Sequence, residues 1–216
     1  MELHSKKVLI TAGPTREPID PVRYISNFST GKMGIALADA CAAKGAEVIL
    51  VKGPTQIKPA NDKIKVIDVT TAAEMYDACS QYFDESDVII FAAAVADYTP
   101  KYPANTKIKK KEDDFMLELV KTKDIAYELG KRKKSNQVNV GFALETDNEM
   151  ENAVSKLEKK NLDLIVLNSL QDPGAGFQHD TNQVTIVDKS RNVVKFGLKS
   201  KSEVAEDILN YIQKLS

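Results

Sequence analysis

The stretch RYISNFSTGKMG, residues 23–34, brings together residue types that bind phosphate groups in proteins. Gly31 would let the backbone approach a ligand closely, and Lys32 would add a positive charge. Ser29 or Thr30 is the predicted N-cap of a following helix, whose first N–H groups could bind an anion. The spacing therefore predicts an anion site at this helix start, but an ordinary capped helix explains the same residues equally well.

Two common nucleotide-binding patterns fit this stretch poorly. A P-loop requires glycine where the chain has Ser26, and a hydroxyl residue where it has Met33. A dinucleotide fingerprint places its glycines directly after the first strand, whereas about fifteen residues separate Gly13 from Gly31. The second predicted strand also ends in VKG, without the acid that would bind a ribose. An NAD(P) oxidoreductase is therefore a weaker alternative that stays open.

The elements that position these candidate residues can be predicted from the sequence. Apolar runs alternate with helical patterns along most of the chain. The central runs are apolar at every position, as in parallel strands covered by helices on both faces. The pattern predicts a doubly wound, mostly parallel, Rossmann-like α/β sheet. The predicted strands are KKVLITAG (6–13), AEVILVKGP (46–54), KIKVIDV (63–69), SDVIIFAAAVAD (86–97), VNVGFALE (138–145) and LDLIVLN (162–168), and the helices between them are IALADACAAKG, AAEMYDACSQYF (72–83), DIAYELGKRKK and about 147–160.

Residues 98–123 interrupt this alternation. Their sequence predicts an extended loop followed by a projecting β-hairpin over 106–120, whose turn is the acidic EDD. After the glycine-rich loop DPGAGF, a last β pair, QVTIVD and NVVKFG, leads to the amphipathic helix SEVAEDILNYIQKL. The sequence contains no internal repeat or low-complexity segment, so we expect a single domain over residues 1–216.

The composition limits the kind of partner. The 216 residues have a formal net charge of -1, so no strong basic field is available for nucleic acid or an anionic membrane. The start MELHSKK lacks a signal-peptide apolar region, and no run approaches the length of a membrane helix. We therefore expect a soluble, cytoplasmic protein that binds small molecules or another protein, with no nucleic acid and no membrane partner.

The cysteines and histidines offer little for metal or triad chemistry. Cys41 and Cys79 fall in helical patterns and are predicted to be buried small hydrophobic residues, without a disulfide or metal between them. His4 and His179 are the only histidines, and we expect both on the surface.

Several blocks of sequence together indicate a family. They are VLITAGPTREPIDPVRYISNFSTGKMG, AAAVADY (92–98), KIKK (107–110), VGFALET (140–146) and KKNLDLIVLN (159–168), in this order. With these blocks the chain closely resembles the bacterial phosphopantothenoylcysteine synthetases, the CTP-using enzymes of coenzyme A biosynthesis. The resemblance extends from about Lys6 to the final helix. In many bacteria this unit follows a flavin-dependent decarboxylase, so a free-standing synthetase and an excised domain both stay open.

The resemblance implies a two-step ligase reaction, with Mg²⁺ accompanying CTP as co-substrate. The carboxylate of 4′-phosphopantothenate attacks the α-phosphate of CTP, which gives an acyl-cytidylate and pyrophosphate. The amine of cysteine then displaces CMP. The resemblance also implies a homodimer, and we expect the hairpin 106–120 to be its dimer element.

Three residues match family positions with roles in these steps. Lys107 matches the lysine that stabilises the charge gathering at the α-phosphate, although composition alone would make it a solvated hairpin charge. Asn27 matches the essential asparagine, which would donate a hydrogen bond to the oxyanion of the second step; by itself it would be a turn residue. Arg23 matches a substrate-binding arginine in the same segment, the flap of residues 14–30. The resemblance implies that this flap could serve the neighbouring protomer's site.

The resemblance assigns further residues to CTP. Relatives often carry Asn-Pro where this chain has Thr122 and Lys123, which leaves the two following residues as the safer assignments. No residue is assigned to the metal. The assigned residues are Asp97 after a predicted strand end, the backbone of Ala92 and Ala93, Asp124 and Ile125, Phe142 as a packing surface for the base, Lys156 and Lys160 on one helix face, and Ser29, Gly31 and Lys32 at the helix start.

A non-enzymatic alternative is a nucleotide-sensing module that keeps the CTP site without turnover. The presence of both Asn27 and Lys107 makes this alternative less attractive than the ligase. Binding of CTP without turnover would favour it.

Overall fold

The computed structural model describes residues 2–110, 115–145, 147–169 and 179–215. In this part of the chain the helices are α1 (Lys32–Ala43), α2 (Ala72–Tyr82), α3 (Ile125–Gly130), α4 (Glu149–Lys159) and α5 (Lys201–Lys214), with a 3-10 turn over Phe83–Glu85. The strands are β1 (Lys7–Ala12), β2 (Arg16–Pro18), β3 (Tyr24–Ser26), β4 (Glu47–Lys52), β5 (Lys65–Asp68), β6 (Val88–Phe91), β7 (Tyr98–Pro100), β8 (Leu119–Lys121), β9 (Val138–Glu145), β10 (Leu164–Ser169), β11 (Thr181–Asn182), β12 (Val184–Asp188), β13 (Val193–Lys195) and β14 (Lys199–Ser200).

Eight of these strands form the main sheet, in the order β5-β4-β1-β6-β9-β10-β12-β13. The first six are parallel, and β12 and β13 join antiparallel, which confirms the predicted last β pair. In the centre, Leu9 pairs with Ile49 on one side and Ile89 on the other. The predicted doubly wound, mostly parallel, Rossmann-like sheet is confirmed.

Helices cover both faces of the sheet, so its central strands are buried on both sides. Helices α1 and α5 pack on one face, and α2, α3 and α4 pack on the other. Cys41 in α1 and Cys79 in α2 are free and buried in these two layers, as predicted, and burial raises the pKa of each thiol to about 12. Both cysteines are therefore core residues without nucleophilic character.

The helix ends explain why α2 and α5 begin where they do. The hydroxyl of Thr71 accepts the N–H of Glu74, and the Glu74 carboxylate accepts the N–H of Thr71 in return. Ser200 and Glu203 make the same reciprocal pair at the start of α5. Each pair satisfies two backbone donors that a helix start leaves without partners.

The insertion forms a narrow ribbon, comprising residues 98–110 and 115–121. Its strand pairing joins β7 to β8, so residues 98–100 are the partners of 119–121. The predicted hairpin over 106–120 was therefore wrong in its first arm, because residues 106–110 form no strand and contact the loop before β3 instead. The whole of the predicted EDD turn lies outside the described residues.

No helix in the described ranges is both long enough and apolar enough to cross a membrane. His4 and His179 are exposed, as predicted.

Candidate active site

A cleft of about 740 Å³ opens at the carboxyl ends of the parallel strands. The chain goes from β1 to β4 on one side and returns to β6 on the other, so the connections after β1 and β6 diverge here. Such a reversal of strand order is where doubly wound sheets bind ligands. The wall is built from the ends of β1, β6 and β9, the start of α1, and parts of β8, α3 and α4.

The start of α1 forms one wall and corrects the predicted N-cap. The N-cap is Gly31, in a left-handed conformation with φ of 79°, and it has no side-chain cap; the predicted cap at Ser29 or Thr30 was wrong. The Ser29 hydroxyl instead accepts the N–H of Gly31 at 3.3 Å. A side chain at Gly31 would lie 3.1 Å from the Cα of Gly13, so glycine permits both the φ angle and the close approach.

Gly34 shows that packing also explains this glycine-rich stretch. A Cβ atom at Gly34 would lie only 2.6 Å from the Cβ of Ala12 in β1. The helix is thus pressed against the central strand, as the packed-helix alternative requires. Ser29, Gly31 and Lys32 also line the cleft, and the anion site at this helix start stays a prediction.

The loop after β6 forms the floor. Strand β6 ends at Phe91, so the predicted strand over 86–97 was too long, and Asp97 lies in a loop rather than directly after a strand. The N–H of Ala93 donates to Thr11 Oγ1 at 3.1 Å, and the N–H of Ala94 donates to the carbonyl of Gly13 at 2.9 Å. These bonds hold the loop against the end of β1, with Ala92, Ala93 and Asp97 in the cleft wall.

The flap, residues 14–30, folds over this loop. Strands β2 and β3 form its antiparallel base. The side-chain amide of Asn27 donates to the carbonyls of Ala94 and Val95, both at 3.1 Å, and lines the cleft. Asn27 therefore stands beside the loop that carries Asp97, with its amide directed at backbone acceptors that a ligand could replace.

Lys156 of α4 and Lys160, the residue that follows this helix, both line the cleft, and each forms an ion pair. Lys156 Nζ lies 2.5 Å from Glu145 Oε1, and Lys160 Nζ lies 3.0 Å from Asp124 Oδ2. Asp124 also caps α3 by accepting the N–H of Tyr127 at 3.1 Å. The predicted set of Asp124, Lys156 and Lys160 is thus brought together, with each lysine held by a carboxylate.

Phe142 and Ile125 border the same space. Phe142 lies in β9, half-buried against the core layer of α1 and α5, and lines the cleft. Ile125, at the start of α3, is buried and contributes to the wall. An aromatic face and an aliphatic wall suit a planar base.

Thr122 and Lys123, where relatives often carry Asn-Pro, are tied to the floor of the cleft. The Thr122 hydroxyl donates to the carbonyl of Ala96 at 2.6 Å, and its N–H donates to the carbonyl of Asp97 at 3.0 Å. Lys123 Nζ stands 4.3 Å from the ring centroid of Tyr76. Thr122 therefore fastens the β8–α3 connection to the loop that carries Asp97.

Several wall residues were not predicted from the sequence. Lys201 begins α5, has only 7% of its surface exposed, and donates to the carbonyl of His179 at 2.5 Å. Burial and the nearby charge of Lys32 lower the pKa of Lys201. Lys159 lies three residues after Lys156, so the two are neighbours on the helix surface. This spacing was the signal in the sequence from which Lys159 could have been predicted as a wall residue. The other unpredicted polar residues of the wall include Lys121, Asn168 and Asn182.

Two predicted residues lie outside the described lining of the cleft. Arg23 is exposed and pairs with Asp20 at 2.5 Å, while it donates to the carbonyl of Ile108 at 2.9 Å. Lys107 is exposed on the ribbon. Lys32 does line the cleft, but its ammonium also lies 2.5 Å from Asp180.

A dedicated metal site is not built from the described side chains, because no three His, Cys, Asp or Glu residues among them cluster closely enough. The carboxylates Asp97 and Asp124 do line the cleft. Mg²⁺ usually binds through one or two carboxylates together with substrate phosphates, so this wall fits a metal that arrives with a nucleotide.

Comparison with known proteins identifies the family. The model of the DNA/pantothenate metabolism flavoprotein C-terminal domain matches residues 3–215. The chain belongs to this family. The match agrees with the resemblance seen in the sequence.

Three relatives of this family member are informative. The coenzyme A biosynthesis bifunctional protein CoaBC of Bacillus subtilis (strain 168) is 48% identical over 99% of the chain and 52% of its own length. A crystal structure of the C-terminal domain of a CoaBC protein is 43% identical with a TM-score of 0.83, covering 98% of both chains. A protein named cysteine/cysteine sulfinic acid decarboxylase, from an unknown prokaryotic organism, is 60% identical over 99% of the chain and 59% of its own length.

The chain spans between half and three-fifths of the length of these curated relatives. A relative's name can therefore describe chemistry that resides in its remaining part.

Proposed function

We propose that the chain is a phosphopantothenate–cysteine ligase that uses CTP and proceeds through an acyl-cytidylate. The observation that supports it most is the placement of Asn27, whose amide joins the flap to the loop beside Asp97 in a cleft that also contains Lys156 and Lys160. An amide donor and two lysines in the lining of one cleft suit a reaction between a nucleotide and an acyl group.

In the first step, a carboxylate oxygen of 4′-phosphopantothenate forms a bond to the α-phosphorus of CTP, and the bond to the β-phosphate breaks. Two anions meet, so cations beside the α-phosphate stabilise the transition state more than the separated reactants. Lys156 and Lys160 are proposed to hold the outgoing pyrophosphate, and Lys107 to contact the α-phosphate. Asp97, Phe142 and the backbone of Ala92 and Ala93 are proposed to hold the nucleoside.

In the second step, the amine of cysteine attacks the acyl carbon, the bond to CMP breaks, and the amine releases a proton. Negative charge develops on the carbonyl oxygen. The Asn27 amide can leave its backbone acceptors and donate to that oxygen without adding a charge. Arg23 is proposed to contribute to the binding of the acyl substrate from the flap.

Mg²⁺ is proposed to enter with the triphosphate rather than occupy a resident site. Asp97 is exposed to the cleft and supplies one carboxylate for such an ion. When bound, the ion neutralises triphosphate charge, while the lysines orient the phosphate groups.

A homodimer is proposed to complete the site. Lys107 lies outside the described lining of the cleft, so either the ribbon moves inward or a second copy brings its own ribbon to the cleft. Exposed apolar side chains on the flap and the ribbon support contact with a second copy. They are Val22, Tyr24, Phe28, Tyr98, Tyr102, Phe115, Met116, Leu119 and Val120.

The test is pyrophosphate release by the purified chain with Mg²⁺, 4′-phosphopantothenate and cysteine, compared across CTP, ATP, GTP and UTP. We expect release with CTP above the other three, and formation of phosphopantothenoylcysteine. No release with any nucleotide would refute the ligase proposal. Thermal stabilisation by CTP without turnover would favour a nucleotide-sensing module, and stabilisation by NAD(P) would favour an oxidoreductase.

A second candidate follows from the relative named as a decarboxylase of cysteine or cysteine sulfinic acid. The same preparation, given either amino acid without nucleotide, would release CO₂ if this chain carried that activity. We expect none, because we propose that the decarboxylase chemistry belongs to the part of the relative beyond this chain. A flavin-dependent decarboxylase domain in the natural gene product is proposed on the same ground.

A further inference from the structure

The flap and the ribbon are joined at one buried carboxylate. Asp20 lies in the loop between β2 and β3, on the surface of the molecule, yet its side chain has 0% exposure. Loop aspartates are usually solvated, so full burial of this one requires partners for both oxygens.

Both oxygens of Asp20 are in fact occupied. Oδ1 accepts the N–H groups of Val22 and Arg23, each at 2.9 Å. Oδ2 accepts Nε and Nη2 of Arg23, at 3.1 and 2.5 Å, and also the N–H of Ile108 at 3.1 Å. The first pair shapes the loop locally, whereas the bond to Ile108 crosses 88 positions of sequence.

Arg23 completes the connection from the other side. Its Nη2 donates to the carbonyl of Ile108 at 2.9 Å, so both backbone groups of Ile108 are bound by this ion pair. A further backbone bond, from the N–H of Ala104 to the carbonyl of Ile19 at 2.9 Å, lies alongside. We call Asp20, Arg23 and the backbone of Ile108 the flap clamp.

The charge of Asp20 is secured by the same contacts. The Arg23 guanidinium and the surrounding backbone N–H groups hold the pKa of this carboxyl well below its usual range, against the opposing effect of burial. Asparagine at this position could not accept all these donors, and its own NH₂ group would face one of them.

We propose that Asp20 is a positioning residue for the ligase reaction, a role that rests on the proposed function. Lys107 directly precedes Ile108, and Asn27 lies four residues after Arg23 in the same flap. The flap clamp thus joins the ribbon that carries the residue assigned to the first step to the flap that carries the residue assigned to the second. Displacements of about 1 Å in such groups cost on the order of a hundredfold in rate.

The test is the Asp20→Asn variant of the full chain, assayed for CTP-dependent pyrophosphate release. We expect kcat to fall about tenfold or more while the KM for CTP changes by less than about threefold, because the clamp orients a reacting group without touching the nucleotide. Amide hydrogen exchange over residues 103–110 should become faster. The matched control is Glu118→Gln, which removes the ion pair between Glu118 and Lys101 at 2.7 Å on the same ribbon. It should leave kcat and exchange unchanged.

A second variant, Ile108→Pro, removes the N–H that crosses from the ribbon and leaves the backbone bonds within the Asp20 turn intact, and it also replaces the Ile108 side chain and restricts the backbone of Lys107. It should reproduce the loss of kcat even if Asp20→Asn fails to fold. Wild-type kcat in either folded variant, or an equal loss in Glu118→Gln, would overturn the proposal. If the wild type itself releases no pyrophosphate, the ligase proposal fails and this one falls with it, whereas an active wild type with active variants removes the Asp20 proposal alone.

Discussion

The side-chain amide nitrogen of Asn27 lies 3.1 Å from the carbonyl oxygen of Ala94. This bond places a residue of the flap on the loop that follows β6, at the point where the sheet order reverses. The flap is therefore part of the cleft wall, and the Asn27 amide that joins it to this loop also lines the cleft.

Asn27→Ala and Lys107→Ala should fail at different steps. Loss of Lys107 should slow pyrophosphate release about a hundredfold or more, as expected when a charge-stabilising group is removed from the transition state. Asn27→Ala should still form the acyl-cytidylate and slow cysteine transfer by a similar factor. Rapid-quench measurement of pyrophosphate and of the acyl-cytidylate checks this. Lys109→Ala, an exposed lysine of the same ribbon, is the control. Identical defects in the two variants would contradict the assigned roles.

Lys156→Gln or Lys160→Gln should weaken binding of CTP. Each removes a charge-assisted contact with phosphate, so the KM for CTP should rise about ten- to hundredfold with a smaller change in kcat. Lys131→Gln, at the exposed end of α3 beside Glu128, should leave the KM unchanged. Steady-state kinetics at varied CTP concentration measures the effect, and an unchanged KM in both cleft variants would remove α4 from the nucleotide site.

Mixed dimers can show whether a ribbon serves its own cleft or the partner's. If Lys107 acts in the cleft of the other protomer, mixing Asn27→Ala and Lys107→Ala chains should restore about half of wild-type activity per heterodimer, because one of its two clefts has both residues. If both residues act in one chain's cleft, every mixed dimer stays inactive. Activity against mixing ratio, after exchange of subunits, separates the two cases.

Gly34→Ala should destabilise the fold by about 1–3 kcal/mol, since the new methyl group would overlap Ala12 in the central strand. The free energy of urea unfolding measures this. Gly197→Ala is the matched control, because a side chain there meets no described atom within 4 Å. Equal stability of the two variants would mean that α1 can move away from β1 without cost.

Asp20 should also affect stability as a function of pH. Its folded pKa lies below the unfolded value of about 3.8, so its ionised form contributes stability that is fully present above that pH. As the pH falls below 3.8 this contribution is progressively lost. The stability difference between wild type and Asp20→Asn should therefore be constant near neutrality and shrink in acid, as measured by denaturant titrations from pH 7 to pH 2. A difference that does not change with pH would show that Asp20 is not ionised in the clamp.

The sheet could be predicted from the sequence because its strands are short apolar runs, such as VNVGFALE, which became β9 with the predicted bounds. Boundaries failed where the same residue types continue into a loop. In AAAVAD the side chains allow a strand, but the backbone turns aside to bond with Gly13 and Thr11. A local pattern contains no information about such partners.

Residues of the candidate site could be predicted where they lie in the blocks of sequence that resemble the family. The start of α1 shows the limit of this, because Gly31 became the N-cap through its backbone conformation, although Ser29 and Thr30 had the preferred side chains. Lys201 and Asp20 were missed for a different reason. Their roles depend on neighbours far away in the chain, such as Ile108 for Asp20, and no spacing rule connects these positions.

The central place of β1 also affects how the chain is made. Among the strands of the main sheet β1 is translated before its two neighbours, β4 and β6, which appear only at residues 47–52 and 88–91. At synthesis rates of about 5–20 residues per second, an apolar strand with two open edges would wait on the order of several seconds for its second partner. During that interval the open edges of β1 are exposed to misassociation, so we expect substitutions that slow the pairing of β6 to lower the yield of folded protein.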